Sequence, residues 1–115
     1  MRRGEVRLTD LHPARGSEAD KLRPAIIVSN DQANATAARL GRGVVTVVPI
    51  TSNVMRIFPF QVLLPADLSG LRVDSKAQAE QVRAVAVERL GPVLGRLPSS
   101  VMDRVDGALR LHLNL

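Results

Sequence analysis

Residues 44–53 read VVTVVPITSN, and this stretch decides the fold. Val44 to Ile50 is a short run rich in β-branched residues, with Pro49 near its end and the polar turn Thr51-Ser52-Asn53 directly behind it. Such a run, bounded by turn formers, predicts a buried strand. Upstream, Pro24 to Ser29 has the same character. Asn30 or Asp31 then caps a brief helical turn through Ala38, ended by Gly41-Arg42-Gly43. Before it, Glu5 to Asp10 alternates with Val6 and Leu8 on one face, as a half-buried strand does, and the polar loop LHPARGSEADKL joins the two strands. Downstream, strands are expected over Ile57–Leu64, with Pro59 placing part of it on an edge, then over Val73–Ala79, Gln81–Val87 and Pro92–Leu97, with a turn at Pro65–Gly70.

The C-terminus changes period. Val101, Val105, Ala108, Leu109 and His112 recur at helical spacing, with Met102 and Leu113 beside them. Ser99 or Ser100 is the expected cap, Asp103 standing three beyond Ser100 as in a capping box. Many short strands and one terminal helix predict a mainly β, partly closed barrel. No repeat, low-complexity tract or linker divides residues 1–115, so a single domain is expected.

Composition narrows the chemistry. The chain has no cysteine, which removes disulfides, thiolate metal sites and a cysteine nucleophile. His12 and His112 are the two histidines, and no histidine cluster or paired acidic motif stands at metal-ligand spacing. His112 falls on the apolar face of the helix and reads as a partly packed structural residue. Gly41-Arg42-Gly43 is too short to cradle a phosphate. No metal and no cofactor is expected. MRRGEVRLTD carries no apolar run for a signal peptide, and no stretch is long enough to span a bilayer. A cytoplasmic location and no membrane partner are expected.

The formal net charge of +5 favours polyanions or an acidic partner. Yet Phe58 and Phe60 are the only aromatic residues. A nucleic-acid contact must therefore rely on charge and hydrogen bonds more than on an aromatic platform. Glu18 and Arg23 at the end of the first loop, and Thr51 and Ser52 past a buried strand, are the polar residues that stand out. Arg23 precedes Pro24, so its backbone is held, and its guanidinium can present a planar fork of donors to a phosphate. A Glu18–Arg23 salt bridge that ties down the loop is the plainer account of the pair.

An ordered set of segments goes further. RGEV (3–6), GSE-x4-RP (16–24), VSND (28–31), VPITSN (48–53) and DS (74–75), followed by EQVR (80–83), ERL (88–90), LGRL (94–97) and VDGAL (105–109), together resemble the MazF family of mRNA interferases. The similarity runs along nearly the whole chain. It implies an SH3-like barrel of short antiparallel strands with a C-terminal helix, related to the gyrase poison CcdB and the toxin Kid. It also implies a homodimer that cuts single-stranded RNA without metal, leaving 2′,3′-cyclic phosphate and 5′-hydroxyl ends, and that is silenced by an acidic, MazE-like antitoxin. By the same resemblance Arg23 and Thr51 are catalytic, and Glu18 is the loop acid that assists. Ser17, Ser52 and Asn53 flank these positions, and Glu80 and Gln81 match a segment near bound RNA.

Arg56, Arg72, Lys76 and Arg83 are candidates for a groove tracking the RNA backbone. Two departures stand out: Arg7 replaces a usual aromatic residue, and Ala19-Asp20-Lys21 a glycine-rich run. The rivals are a non-catalytic poison like CcdB, whose aromatic residue near the C-terminus has no counterpart in Leu111 to Leu115, and a plain nucleic-acid-binding barrel.

Overall fold

In the computed structural model, which describes residues 1–12, 16 and 22–115, the elements follow the apolar pattern closely. Seven strands are present among the described residues: β1 (Glu5–Asp10), β2 (Leu22–Ile27), β3 (Val44–Thr51), β4 (Gln61–Leu64), β5 (Ser75–Gln78), β6 (Arg83–Ala86) and β7 (Leu90–Arg96). Three helices accompany them: α1 (Asp31–Leu40), the single turn α2 (Ala66–Ser69) and α3 (Ser99–Leu113). The strands run in the order β4-β5-β3-β2-β1-β7, all neighbours antiparallel, and β6 also pairs with β3. This is the expected mainly β barrel with its terminal helix.

β3 is the hub. Val47 pairs with Ile27 of β2 and with Arg83 of β6, and the strand's last residues, Ile50 and Thr51, pair with Ala77 and Lys76 of β5. Both faces of β2 and β3 are covered, which is why their sequences read as unbroken apolar runs rather than alternating ones. On one face Val6, Ile26, Val48, Ile50 and Leu64 pack with Val101, Met102, Val105 and Ala108 of α3. On the other, Leu11, Ala25, Ile27, Val45, Val47 and Val85 pack with Ala37 of α1.

The N-cap and the terminating glycine of α1 are those the sequence predicts, although the helix runs to Leu40 rather than Ala38. The Asn30 side chain accepts from the Ala33 amide at 2.8 Å, and Gly41 ends the helix in a left-handed conformation. Asn30→Ala removes that cap and is expected to cost about 1 kcal/mol, seen as a lower thermal midpoint. Asp31, beside it, accepts from the Arg3 backbone amide. That bond holds its carboxyl below the ordinary aspartate pKa. A depressed carboxylate stabilises the fold above its unfolded pKa, and the contribution is lost as pH falls through the folded value.

Four expectations are corrected. First, α3 is not capped by Ser99 or Ser100: Pro98 is the N-cap, and no side chain closes the end. The Leu97 amide donates to the Gly4 carbonyl, and the Pro98 carbonyl already accepts from Val101 and Met102, so the helix starts before the serines can cap it. Second, His112 is exposed, its ring 6.4 Å from that of Phe60, because the end of α3 lies beyond the cover of the sheet. Third, Ile57–Phe60 is not strand. Pro59 cannot donate to a ladder, and residues 58–61 close a turn in which the Phe58 amide donates to Gln61 Oε1 and the Gln61 amide to the Phe58 carbonyl. Fourth, the two strands expected over 73–87 are shorter and separated by a 3-10 turn at Ala79–Gln81.

Candidate active site

Strand register brings the two principal candidates together. Arg23 pairs with Thr9 of β1, and Ala25 of the same strand pairs with Pro49 of β3. That pair stands two residues from Arg23 on β2 and two from Thr51 on β3, so the two candidates lie near each other at the same end of the sheet. Thr51 in turn pairs with Lys76 of β5, and Lys76 with Leu63 of β4. The β2–β3 pairs end two residues short of Arg23 and Thr51, which stand at the adjoining ends of β2 and β3.

Arg23 and Thr51 line one cleft of about 470 Å³, with Ser52, Arg72 and Ser75 as further polar lining and Leu71, Val73 and Leu94 as apolar walls. Arg23 and Thr51 are half-buried, so both are held by the sheet yet face the cleft. The Asn53 amide donates to Thr51 Oγ1 at 3.2 Å, and Asn53 Oδ1 accepts from the Met55 amide at 3.3 Å. With that lone pair engaged, the Thr51 hydroxyl still has its hydrogen to donate. Two arginines lining a cleft that also presents hydroxyls supply the charge and the donor types that an anion such as a phosphodiester needs.

The wall carrying Arg72 is set by a close backbone approach. Gly70, at φ +78°, turns the chain out of α2 against β7. A Cβ on Gly70 would lie 2.4 Å from the Leu94 carbonyl oxygen, and one on Gly95 2.2 Å from that of Ser69. Arg72 was legible only as one of four dispersed cations; nothing in its spacing distinguishes it as the one beside Arg23. Leu71, Ser75 and Leu94 were not foreseen as cleft residues at all.

The other candidates are distributed as follows. Ser52 lines the cleft, and Asn53 is exposed beside it. Arg56 is exposed, with its guanidinium carbon 5.2 Å from the Phe58 ring centroid. Lys76 is not an open groove cation: it is buried, and its ammonium donates to the Arg56 carbonyl at 2.5 Å. Arg83 donates to the Leu11 carbonyl. Glu80 and Gln81 stand in the 3-10 turn, where Glu80 Oε2 accepts from Gln61 at 2.8 Å and Glu80 Oε1 is buried with no bond. Arg7 donates to the Gly91 carbonyl and to Glu5, which ties β1 to β7 in place of aromatic packing. Ser17, Glu18 and the Ala19-Asp20-Lys21 departure lie outside the described residues. Among the described residues no three of His, Asp or Glu converge as a metal site, and no helix is long and apolar enough to cross a membrane.

Comparison with known proteins identifies the family and the fold. Residues 2–113 match the family model described as PemK-like, MazF-like toxin of type II toxin-antitoxin system. The chain is 61% identical over 115 residues to the endoribonuclease MazF9 of Mycobacterium tuberculosis, covering 100% of this chain and 98% of that one. It is 32% identical over 116 residues to the endoribonuclease EndoA of Bacillus subtilis, with coverages of 100% and 96%. Among solved structures, MazF from Deinococcus radiodurans superposes with a TM-score of 0.79 at 26% identity, covering 100% and 97% of the two chains. A mycobacterial endoribonuclease in complex with its cognate antitoxin superposes with a TM-score of 0.79 at 25% identity, covering 100% and 96%.

Proposed function

Because the chain belongs to the PemK-like, MazF-like toxins of type II toxin-antitoxin systems, we infer that the Arg23–Thr51 cleft cuts single-stranded RNA at short sequences. The protein is an endoribonuclease of the MazF type. The observation that carries the reading is the shared cleft of Arg23 and Thr51, at the two positions where the family resemblance puts its catalytic pair.

The chain's residues support a reaction that needs no metal. The RNA's own 2′-oxygen attacks the adjacent phosphorus, so the nucleophile is already in place. The 2′-O–P bond forms, the P–O5′ bond breaks, the 2′ proton leaves to a base, and the departing 5′-oxygen gains a proton. Arg23 donates to the non-bridging oxygens as they gain charge, and the Thr51 hydroxyl adds a donor. Glu18 is better suited than an arginine to assist removal of the 2′ proton, since guanidinium groups hold theirs far above neutral pH. Products are a 2′,3′-cyclic phosphate and a 5′-hydroxyl. Ser17, Ser52, Asn53, Glu80 and Gln81 bind the flanking nucleotides, and the active species is a homodimer. An acidic antitoxin competes for the same cationic cleft and silences it.

An oligonucleotide with a single 2′-deoxy sugar at a mapped cut site tests the nucleophile. It is expected to bind as the all-RNA strand does and to stay intact; cleavage at that position would contradict the mechanism. Binding should weaken with salt, with a logarithmic slope of about −0.7 per phosphate contacted. Glu18→Gln should change the pH dependence of cleavage, and an unaltered profile would remove Glu18 from the proton path.

A further inference from the structure

The two aromatic residues of the chain do not form an open platform, yet they support something else. Phe58 and Phe60 stack on each other with ring centroids 5.4 Å apart and planes within 1° of parallel. Arg56 lies over Phe58, and Lys76 approaches the same ring at 6.0 Å. Lys76 is buried and donates to the Arg56 carbonyl, so it fixes the backbone that carries Arg56. The segment is further tied by the Asn53–Thr51 and Met55–Asn53 bonds at its start and by the paired Phe58–Gln61 bonds at its end. The Arg56 side chain is exposed, and Met55 beside it is 96% exposed.

We propose that Arg56, supported by the Phe58–Phe60 stack, is a base-stacking platform that holds one nucleobase flanking the cut, rather than a cation that only tracks phosphates. A guanidinium is a flat, weakly hydrated cation whose faces stack on π systems, and RNA-binding proteins place bases on such planes. Backing by an aromatic ring restrains it before RNA arrives, and preorganisation lowers the cost of binding. The adjoining Met55 and Ile57 side chains are apolar and exposed, which suits a base face and offers nothing to a phosphate. The platform stays in register with the reacting phosphate through Lys76, whose β5 position pairs directly with Thr51. The inference rests on the ribonuclease reading and extends it to a subsite.

The test is an abasic scan of a defined single-stranded RNA that the wild-type protein binds, blocked by 2′-deoxy at any mapped cut, with Kd as the readout. Loss of a stacked base weakens binding about 5- to 150-fold, and the wild type should show such a loss at one flanking position. Arg56→Lys keeps the charge but not the plane. It should weaken binding of intact RNA by a similar factor and abolish the abasic penalty at that position, the signature of two groups acting through one contact. An Arg56→Lys variant that binds intact RNA as the wild type does, or that keeps the same abasic penalty, overturns the proposal and assigns this surface to a protein contact instead. If the wild type binds RNA without cutting any, the ribonuclease reading fails while the Kd comparison still decides the platform. If it binds no RNA, both fail.

Discussion

Arg23→Ala is expected to lower the cleavage rate by about a hundred- to a thousandfold, the usual cost of removing one preorganised donor from developing charge. The loss should appear in single-turnover rates at saturating protein, because the guanidinium acts on charge that grows only as the phosphorane forms. Arg23→Lys should recover a minor part of it, since an ammonium restores charge but not a two-pronged donor to two oxygens. Folding should survive both changes. The residue is half-buried at the start of β2 and outside the packed clusters formed by Ala25, Ile26 and Ile27. Circular dichroism and the thermal midpoint check that point. A folded Arg23→Ala protein cutting at the wild-type rate would remove Arg23 from the active site.

Gly95→Ala is expected to be strongly destabilising. Its Cβ would sit 2.2 Å from the Ser69 carbonyl oxygen and 3.0 Å from Gly70 Cα. These are backbone atoms, so the clash cannot be relieved by a rotamer change. α2 and the segment behind it must move off β7, at a cost of about 3 kcal/mol, or a fall of roughly 10 °C or more in thermal midpoint. Activity should fall as well in the protein that remains folded, because Leu71, Arg72 and Val73 form the cleft wall carried by that contact. Gly107 provides the contrast. No atom lies within 4 Å of a Cβ there, so Gly107→Ala in α3 should stabilise by up to about 1 kcal/mol through helix propensity alone. Equal effects from the two substitutions would show that the close approach does not shape the cleft.

How much of this was legible in the sequence depended on the range of the interaction involved. Strands buried on both faces declared themselves, because Val44–Ile50 and Pro24–Ser29 are apolar whichever way a side chain points; β2 starts two residues earlier, at Leu22, where pairing with β1 outweighs the polar side chain of Arg23. The α1 cap was legible because an N-cap is a bond between residues three apart. The α3 cap was misplaced because its start is fixed by Leu97 pairing with Gly4, a contact more than ninety residues distant in sequence. In the site, Arg23 and Thr51 follow from the family resemblance, and the cleft that both residues line gives their association a physical basis. The sequence offers Lys76 as a groove cation, since nothing local reveals that its ammonium is used inside the protein. Arg72 joins the cleft only through the Gly70–Gly95 approach, a tertiary contact with no sequence period.

Metal-free cleavage through the 2′-oxygen is the central step of the proposed reaction. Purified protein should be incubated with a long defined RNA in EDTA, and the ends of the fragments determined chemically. Discrete fragments bearing 2′,3′-cyclic phosphates and 5′-hydroxyls are the predicted result. RNA that is bound but uncut under these conditions, or cut to leave 5′-phosphates, would contradict it.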